Sequence, residues 1–263
     1  MDVVGRVESL WRYPVKSMRG ERLPEAFAGF SGVYGDRVYA FHSSRAAKAF
    51  PFFTAREQEE MLKFRAVFRH PEAMAHPPNL AEAQALGPGV TPVYAGPDES
   101  AVNVVTPEGE TLAVDDPLVI RRLLDGIRQD HEITLIRSDR ALTDCRPISM
   151  FSLHTVRQIG TEAGSDIDKR SFRANVYFEL HSGEPFAENQ WVGRTLKIGS
   201  RVVVAITDRD PRCKMITLDP DSAEANPEVI KTLSHAHDGT AGVYGAVIVE
   251  GAIHPGDEIA LVP

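Results

Sequence analysis

The chain has 263 residues, 43% of them hydrophobic and 25% charged, which is an ordinary balance for a globular protein. Its 29 basic and 37 acidic side chains give a net charge of −8, which repels phosphodiester backbones and excludes nucleic acid as an expected partner. No stretch approaches the roughly 18 apolar residues of a membrane span, and the opening residues contain neither a basic leader nor an apolar signal segment. We therefore expect a cytoplasmic protein with no membrane partner.

The length predicts two packed halves, because single hydrophobic cores commonly span about 100–150 residues. The polar, proline-ended segment 138–147 is the predicted boundary, which gives an N-terminal domain over residues 1–137 and a C-terminal domain over residues 138–263. The chain contains two cysteines, Cys145 and Cys213. Two cysteines cannot form a structural zinc site by themselves, and their number fits a reducing compartment.

The first half is predicted to begin with short strands. The run VVGRVESLWRYP predicts a strand that ends at Pro14, so that Lys16 and Ser17 lie just beyond a strand end. GVYGDRVYAFHS predicts a turn followed by a strand over Arg37–Phe41, and MLKFRAVF fits either a strand or a helix. The segment Pro71–Pro97 is rich in proline, glycine and alanine, and we expect an irregular loop there.

A hairpin and a helix are expected next. AVNVVTPEGETLAVDD has two valine-rich runs joined by a Pro-Glu-Gly turn, which predicts a hairpin. Asp116 followed by Pro117 supplies an N-cap and a first-turn proline, and apolar residues then recur at helical spacing as far as Ile127. HEITLIRS predicts a further strand before the boundary.

The second half alternates short strand candidates with glycines and prolines. A capped helix is predicted over Ser152–Gly160 and a second helical interruption near Asn226–Ser234. The strand candidates are FRANVYFEL, RTLKIG, RVVVAITD, KMITLDP, VYGAVIVEG and DEIALVP. This spacing is typical of an antiparallel β-barrel or folded sheet. The predicted fold class is α+β and mainly β, with a β-rich N-terminal domain packed on a C-terminal β-barrel that has a few short helices.

Cys213 is the first candidate functional residue. It follows the strand RVVVAITD and an Asp-Pro-Arg turn, and Arg209, Arg212 and Lys214 flank it. Positive charge near a thiol favours the thiolate, which is the form that attacks electrophiles and binds metals. From this local pattern alone, a packed cysteine beside solvated charges is the commoner outcome.

Basic and polar residues near strand ends are further candidates. Lys16 and Ser17 could hold an anion together with backbone N–H groups, although a solvated turn is more typical of this pair. Arg173 and Asn175 lie two residues apart on the predicted strand FRANVYFEL and would share a face. A cation and an amide on one face suit an oxyanion or the edge of a heterocycle, whereas surface placement is the ordinary habit of both residue types.

Three other residues are expected to be structural or exposed. Cys145 lies in an Asp-Cys-Arg setting that could be redox-active, but the burial habit of cysteine favours a structural role. His235 and His237 in SHAHDG resemble a metal-binding pair. Two histidines without a third ligand are more typical of a surface loop.

Taken in order, these segments resemble the MOSC family, which includes the C-terminal domain of eukaryotic molybdenum cofactor (Moco) sulfurases and the mitochondrial amidoxime-reducing components. YPVKSMRG, GDRVYAF and FTARE resemble landmarks of the β-barrel domain that precedes MOSC in these proteins. SFRANVYFE, PFAENQWVGRTLKIG, DPRCKMITLDPD and GVYGAVIVEGAIHPGDEIAL resemble the MOSC domain itself. The resemblance spans Val3–Val262 and is poorest over Pro71–Pro97.

The resemblance implies that the chain binds Moco, in which molybdenum is held by molybdopterin. Cys213 would be the molybdenum ligand and the catalytic cysteine, in keeping with the preference of soft metal sites for thiolate. The implied cofactor-binding residues are Lys16, Ser17, Arg37 and Arg173 at the phosphate, Asn175 at the pterin edge, and Arg56 and Arg212 elsewhere in the pocket.

The resemblance also implies a molybdenum-dependent oxidoreductase that reduces N-hydroxylated or N-oxide-like small molecules by two electrons. Since two cysteines cannot hold an iron–sulfur cluster, a separate electron-donor protein is expected. Asp210, Pro211 and Arg212 stand just before Cys213, where amidoxime-reducing members have small residues closer to the cysteine.

Two alternatives remain open. One is a sulfur carrier with a persulfide on Cys213, or a Moco-delivery protein without its own turnover. The other is a binding module that retains the fold and has lost the metal. A sulfurase proper is disfavoured, because the chain is too short to include the pyridoxal-dependent desulfurase domain of the eukaryotic proteins.

Overall fold

The computed structural model describes residues 2–85, 95–127 and 130–263. Within these ranges the chain is mainly β, as predicted. The strands are β1 (Asp2–Arg12), β2 (Glu21–Leu23), β3 (Ala26–Gly29), β4 (Gly32–Val33), β5 (Tyr39–Ser43), β6 (Phe52–Phe53), β7 (Arg65–Phe68), β8 (Val102–Val105), β9 (Thr111–Ala113), β10 (Ile133–Arg137), β11 (Ile148–Ser152), β12 (Val176–Leu180), β13 (Thr195–Ile198), β14 (Val202–Pro211), β15 (Thr240–Val249), β16 (Gly251–Ile253) and β17 (Glu258–Val262).

The helices are short. The α-helices are α1 (Leu80–Ala85), α2 (Pro117–Leu123), α3 (Leu153–Ala163) and α4 (Glu228–Ala236). Single 3₁₀ turns cover Glu59–Lys63, Lys169–Phe172, Ala187–Trp191 and Lys214–Thr217. None of the helices in the described ranges is long and apolar enough to cross a membrane.

Seven strands close into a barrel in the order β12, β11, β15, β14, β13, β17 and β1, and the pairing of β1 with β12 completes the circle. β11 and β12 pair in parallel and are connected through α3, because parallel neighbours need a crossover connection. The other barrel neighbours pair antiparallel. Valine, leucine and isoleucine side chains such as Val7, Ile148 and Val204 fill the interior.

The two halves share strands. β1 lies at the start of the chain but pairs with β12 and β17 of the C-terminal barrel, and β3 pairs with β16. The N-terminal strand is therefore a structural part of the C-terminal barrel. The proposed division between residues 137 and 138 remains a prediction.

The rest of the N-terminal half contains two three-stranded sheets, ordered β10-β5-β6 and β7-β8-β9, which contribute to one apolar core. The predicted hairpin is confirmed as β8 and β9. The predicted helix start is confirmed as well, since the Asp116 carboxylate accepts a hydrogen bond of 2.8 Å from the Leu118 N–H and Pro117 opens α2. Local sequence thus determines both elements.

The C-terminal helices pack together beside the barrel. Ser152 caps α3 by accepting a hydrogen bond from the His154 N–H at 3.2 Å, and Gly164 ends the helix in the left-handed region. α4 (Glu228–Ala236) confirms the helix predicted near Asn226–Ser234. Phe151, Phe172 and Leu233 belong to the apolar cluster shared by these helices and the adjoining 3₁₀ turns.

The structure contradicts the strand predicted for KMITLDP. Residues Lys214–Thr217 form a 3₁₀ turn directly after Cys213. Met215 packs against the N-terminal core, while Ile216 belongs to the C-terminal helical cluster. A 3₁₀ turn directs successive side chains about 120° apart, which lets adjacent apolar residues reach two different cores.

The predicted shared strand face of Arg173 and Asn175 is also wrong. Both residues precede β12, and Arg173 has φ of 54°, in the left-handed region that an extended strand does not use. Arg37 likewise has positive φ, so β5 begins at Tyr39 rather than at Arg37. MLKFRAVF divides into the 3₁₀ turn Glu59–Lys63 and strand β7.

The predicted irregular segment Pro71–Pro97 is only partly described. Residues 71–79 are rich in turns and lead into α1, which the sequence did not predict. Residues 86–94 lie outside the described ranges.

Candidate functional site

A cleft of about 730 Å³, counting its opening to solvent, lies where the two halves meet. The loop after β1 contributes to it, together with residues beside β5, β6, β11 and β12 and the end of β14. All the site residues predicted from the sequence line this one cleft: Lys16, Ser17, Arg37, Arg56, Arg173, Asn175, Arg212 and Cys213. Their individual roles remain predictions.

Three of these residues have a strained backbone. Six non-glycine residues in the described ranges have positive φ, and Ser17, Arg37 and Arg173 are three of them, at 66°, 46° and 54°. Such conformations cost about 1–3 kcal/mol each and tend to cluster at ligand-binding and active sites. Their concentration in one cleft supports a functional role for it.

Lys16 is held inside the cleft and is only 3% exposed, which contradicts the solvated turn that is typical of its residue type. Its ammonium donates to the Leu142 carbonyl at 2.7 Å and to the Asp144 carboxylate, and it lies 4.6 Å from the centre of the Phe52 ring. Burial lowers the pKa of Lys16 to about 8, although Asp144 opposes the change. Lys16 thus loses its charge only slightly above neutral pH.

We expect the affinity of the cleft for inorganic phosphate to fall as pH rises above about 8, because Lys16 loses its proton there while Arg37 and Arg173 stay charged. Well below this pH the ammonium is fully formed, and Lys16 itself contributes no pH dependence. Above it, the loss should approach about tenfold per pH unit. Calorimetric titration from about pH 8 to about 9 tests this, because inorganic phosphate is doubly charged and Arg173 keeps its charge over this range. A Lys16→Met variant should show no such slope, and an equal slope in both proteins would contradict the prediction.

Arg37 and Arg173 both contact the buried ring of Tyr13, with guanidinium carbons 4.7 and 4.3 Å from the ring centre. Arg37 forms an ion pair with the buried Asp36 and donates to the Arg173 carbonyl at 3.1 Å. Despite burial, the charge of Asp36 raises the pKa of Arg37.

Arg173 has no such partner. Within the described ranges no acidic side chain forms an ion pair with it, and its Nη2 atom is buried without a hydrogen-bond acceptor. Burial lowers the pKa of Arg173 to about 10, and the charge of Arg37 adds to the effect. A buried cation with an unused donor is energetically unfavourable until an anion contacts it.

Cys213 is partly exposed at the point where β14 ends. The three basic residues that flank it each contact an acid: Arg209 with Asp238 at 3.2 Å, Arg212 with Asp210 at 2.8 Å, and Lys214 with Glu59 at 2.6 Å. The positive surroundings inferred from the sequence are therefore largely neutralised. What remains is an accessible thiol in the cleft.

Arg212 contacts the backbone. It donates to the carbonyls of Ala241 and Phe172, both at 2.8 Å. Close packing next to Arg212 leaves no room for a side chain at Gly242, which has φ of 73°: a Cβ there would lie 2.5 Å from the Phe151 ring and 2.8 Å from the Met150 carbonyl oxygen. Arg212 therefore ties β14, β15 and the 3₁₀ turn before β12 together.

Asn175 is engaged in a similar way. Its side-chain oxygen accepts a hydrogen bond from the Ser149 N–H at 3.2 Å, and its amide nitrogen donates to the Trp11 carbonyl at 3.3 Å. An amide nitrogen has two N–H donors, so one donor remains for a ligand.

Sequence reasoning missed several acids and a phenol at the site. Asp36 and Tyr13 lie inside the motifs GDRVYAF and YPVKSMRG, and Asp36 pairs with its neighbour Arg37. The hydrogen bond from the Tyr13 N–H to Asp36 and the contact of the Tyr13 ring with Arg173 join segments that are distant in sequence. Asp144 lies in the segment interpreted only as a domain boundary. Asp210 is 1% exposed and accepts a hydrogen bond from the Ser149 hydroxyl at 2.9 Å, and burial raises the pKa of Asp210.

The remaining candidates lie elsewhere or differ from expectation. Cys145 is exposed, so its expected burial is wrong. His235 is exposed and contacts the Lys231 carbonyl, whereas His237 pairs with Glu162 at 2.6 Å. In the part of the chain that the structure describes, no three histidine, cysteine or acidic side chains form a metal-binding group.

Comparisons with known proteins agree with this architecture. The MOSC domain family matches residues 137–260, and the MOSC N-terminal beta barrel domain family matches residues 4–84. No curated protein matches the chain.

Solved structures give weaker similarities. The YuaD protein from Bacillus subtilis is 16% identical over 97% of this chain and 94% of its own, with a TM-score of 0.48. YiiM from Geobacillus stearothermophilus is 18% identical over 45% of this chain and 55% of its own, with a TM-score of 0.35. YiiM from Escherichia coli is 14% identical over the same shares, with a TM-score of 0.31.

Proposed function

The chain belongs to the MOSC family, and from this premise we propose that its cleft binds the molybdenum cofactor and uses it in a two-electron reduction of small molecules. MOSC domains are generally linked to Moco binding. The observation that carries the proposal is the buried Nη2 atom of Arg173, which has no hydrogen-bond partner in the described part of the chain and lies in the same cleft as Lys16, Ser17 and Arg37. A phosphate group offers the charge and the acceptor oxygens that this arrangement lacks.

The cationic side chains fit the phosphate of molybdopterin. Arg37 and Arg173 would provide guanidinium donors, and Lys16 would provide a buried ammonium. Lys16 and Arg37 already pair with Asp144 and Asp36, whereas the buried charge of Arg173 becomes favourable only when a ligand anion neutralises it. Ser17 adds a hydroxyl, and Arg56 lies beside them with its guanidinium 4.0 Å from the Phe50 ring centre.

Cys213 fits the metal. A single thiolate cannot hold a metal ion by itself, but it can complete the coordination of a metal that arrives with its own sulfur ligands. Moco carries its metal in a dithiolene and, when bound, supplies two-electron redox chemistry to its substrate. The chain would bind the cofactor, orient it and give the substrate access through the open side of the cleft.

The finer assignment is a reductase of N-hydroxylated or N-oxide-like compounds, which follows from the resemblance to amidoxime-reducing components. Each turnover of such a substrate consumes two electrons and two protons and releases water. A separate redox protein would supply the electrons, because the two cysteines of the chain cannot hold an iron–sulfur cluster.

A second candidate is a sulfur carrier in which Cys213 holds a persulfide. The partial exposure of Cys213 favours it, since a carrier thiol must be reached by both donor and acceptor. The same cationic cleft would then bind Moco for sulfur transfer or delivery without redox turnover.

The proposed function is tested by the molybdenum and pterin content of the full chain after expression in a Moco-competent host. We expect near-stoichiometric metal and pterin in the wild-type protein. Cys213→Ser should keep pterin while losing metal or changing its absorption spectrum, because the thiolate ligand is gone. Cys145→Ser is the matched control, since this exposed cysteine does not line the cleft.

Absence of both metal and pterin from a folded wild-type protein would refute Moco binding. Mass spectrometry then tests the sulfur-carrier alternative. A mass increase of one sulfur atom on Cys213, absent from Cys213→Ser, would identify a persulfide.

A further inference from the structure

Asp144 brings a negative charge into the cationic end of the cleft. Its carboxylate accepts a hydrogen bond from the Lys16 ammonium. Burial would raise the pKa of Asp144, but Lys16, Arg37 and Arg56 together lower it below its usual value. Asp144 is therefore an ionised carboxylate that already neutralises part of the site proposed to hold a phosphate.

The pair is unequal in its exposure. The Lys16 side chain is 4% exposed, whereas the Asp144 side chain is 44% exposed. Moving the half-hydrated carboxylate fully into water costs little, but leaving the buried ammonium without an anion is costly. An external anion can replace Asp144 only if it neutralises Lys16 at least as well.

The segment that carries Asp144 is attached mainly by side chains. Residues 138–147 contain neither helix nor strand, and their backbone is held at Ser138 and Leu142, which donate to Val38 and Arg37 at 2.9 Å each. Beyond Leu142, within the described ranges, no backbone–backbone hydrogen bond involves residues 143–147. The exposed Arg146 pairs with the exposed Asp208 at 2.9 Å. Displacing Asp144 therefore breaks no strand pairing.

We infer that Asp144 is an internal counter-anion that an incoming phosphate must displace from Lys16, so that this residue determines the selectivity of the cleft for doubly charged anions. This inference rests on the proposed function. A singly charged carboxylate would only exchange one carboxylate for another. A phosphate dianion brings more charge and can also contact Arg173, whose Nη2 atom has no hydrogen-bond partner among the described residues.

The test measures binding of inorganic phosphate and of acetate to the full chain purified from a host that makes no Moco, by calorimetric titration at about pH 6.5. This pH keeps Lys16 protonated when the charge of Asp144, which raises the pKa of Lys16, is removed. Asp144→Asn keeps the shape and removes the charge. It should bind phosphate about tenfold more tightly than wild type, because phosphate no longer has to displace the Asp144 carboxylate from Lys16. It should also gain acetate binding. Asp139→Asn is the matched control, since Asp139 lies in the same segment but pairs with Arg137, and it should change the affinity by less than about twofold.

A double-mutant cycle separates displacement from a general change in charge. If Asp144 acts by occupying Lys16, Asp144→Asn should have less than about a threefold effect in a Lys16→Met background. An unchanged tenfold effect there would show that Asp144 acts through the overall potential, and would overturn the inference.

Equal or weaker phosphate binding by Asp144→Asn would also overturn it, because Asp144 would then position Lys16 for the ligand. The same holds if neither protein binds phosphate. The Moco content of the wild-type protein decides the proposed function independently, so a Moco-loaded wild type whose Asp144→Asn variant binds phosphate no better refutes the inference alone.

Discussion

Replacing Arg173 with methionine is expected to weaken phosphate binding by roughly 10- to 100-fold, because a charge-assisted hydrogen bond in a cleft contributes about 1.5–3 kcal/mol. The same change should leave the free energy of unfolding equal to that of wild type or higher. Arg173 buries a charge and an Nη2 donor with no acceptor in the described part of the chain. Methionine removes both penalties and can still pack against the Tyr13 ring.

Two measurements on one protein test this expectation. Calorimetric titration with phosphate gives the affinity, and urea unfolding followed by circular dichroism gives the stability. Arg157→Met serves as the control, because Arg157 is 61% exposed and pairs with Glu179 away from the cleft. Loss of stability with unchanged affinity in Arg173→Met would show that the guanidinium is structural and would remove the main support for an anion site.

Replacing Arg37 with methionine is expected to lower the free energy of unfolding by about 3–5 kcal/mol, the usual consequence of removing one partner of a buried ion pair. The side chain of Asp36 is 0% exposed. It would keep the hydrogen bond from the Tyr13 N–H at 2.8 Å but lose the cation that offsets its charge. The Arg173 carbonyl would also lose a donor.

A second substitution identifies the cause of this instability. Asp36→Asn in the Arg37→Met background removes the stranded charge while its side-chain oxygen can still accept from Tyr13, so urea unfolding should recover about half of the lost stability or more. No recovery would mean that packing of the Arg37 side chain, rather than the charge of Asp36, accounts for the loss. Phosphate affinity should stay low in both variants, because the guanidinium is absent from both.

Arg37 and Arg173 have different roles within one cleft. Arg37 is neutralised by Asp36 and links the N-terminal half to the backbone of Arg173, so it stabilises the site before any ligand is present. Arg173 is left without an acid and is expected to be neutralised only by a ligand. Arg173 therefore lowers the stability of the folded protein while it raises the affinity of the cleft for an anion. Such a conflict between stability and function is common in proteins.

Local sequence determined the elements whose signals are local. β1 ends at Arg12, two residues before Pro14, a residue that lacks the N–H needed to continue the ladder. Asp116 with Pro117 opens α2 through a cap and a fixed φ. Six of the seven barrel strands followed from spaced runs of β-branched residues between glycines and prolines, whereas β11 was not predicted. The motifs of the resemblance also indicated every one of the residues Lys16, Ser17, Arg37, Arg56, Arg173, Asn175, Arg212 and Cys213, which do line one cleft.

Tertiary structure alone decided which charges meet. The positive charge around Cys213 is offset by Asp210, Glu59 and Asp238, of which Glu59 comes from the other half of the chain. Lys16 pairs with Asp144, more than a hundred positions away, while Arg173 forms no ion pair with an acid in the described ranges. The ion pairs of Lys16, Arg209 and Lys214 depend on distances between remote segments, and no local pattern encodes them. The left-handed backbone of Arg173 and the 3₁₀ turn after Cys213 have the same origin, because contacts with two separate cores override the local preference for a strand.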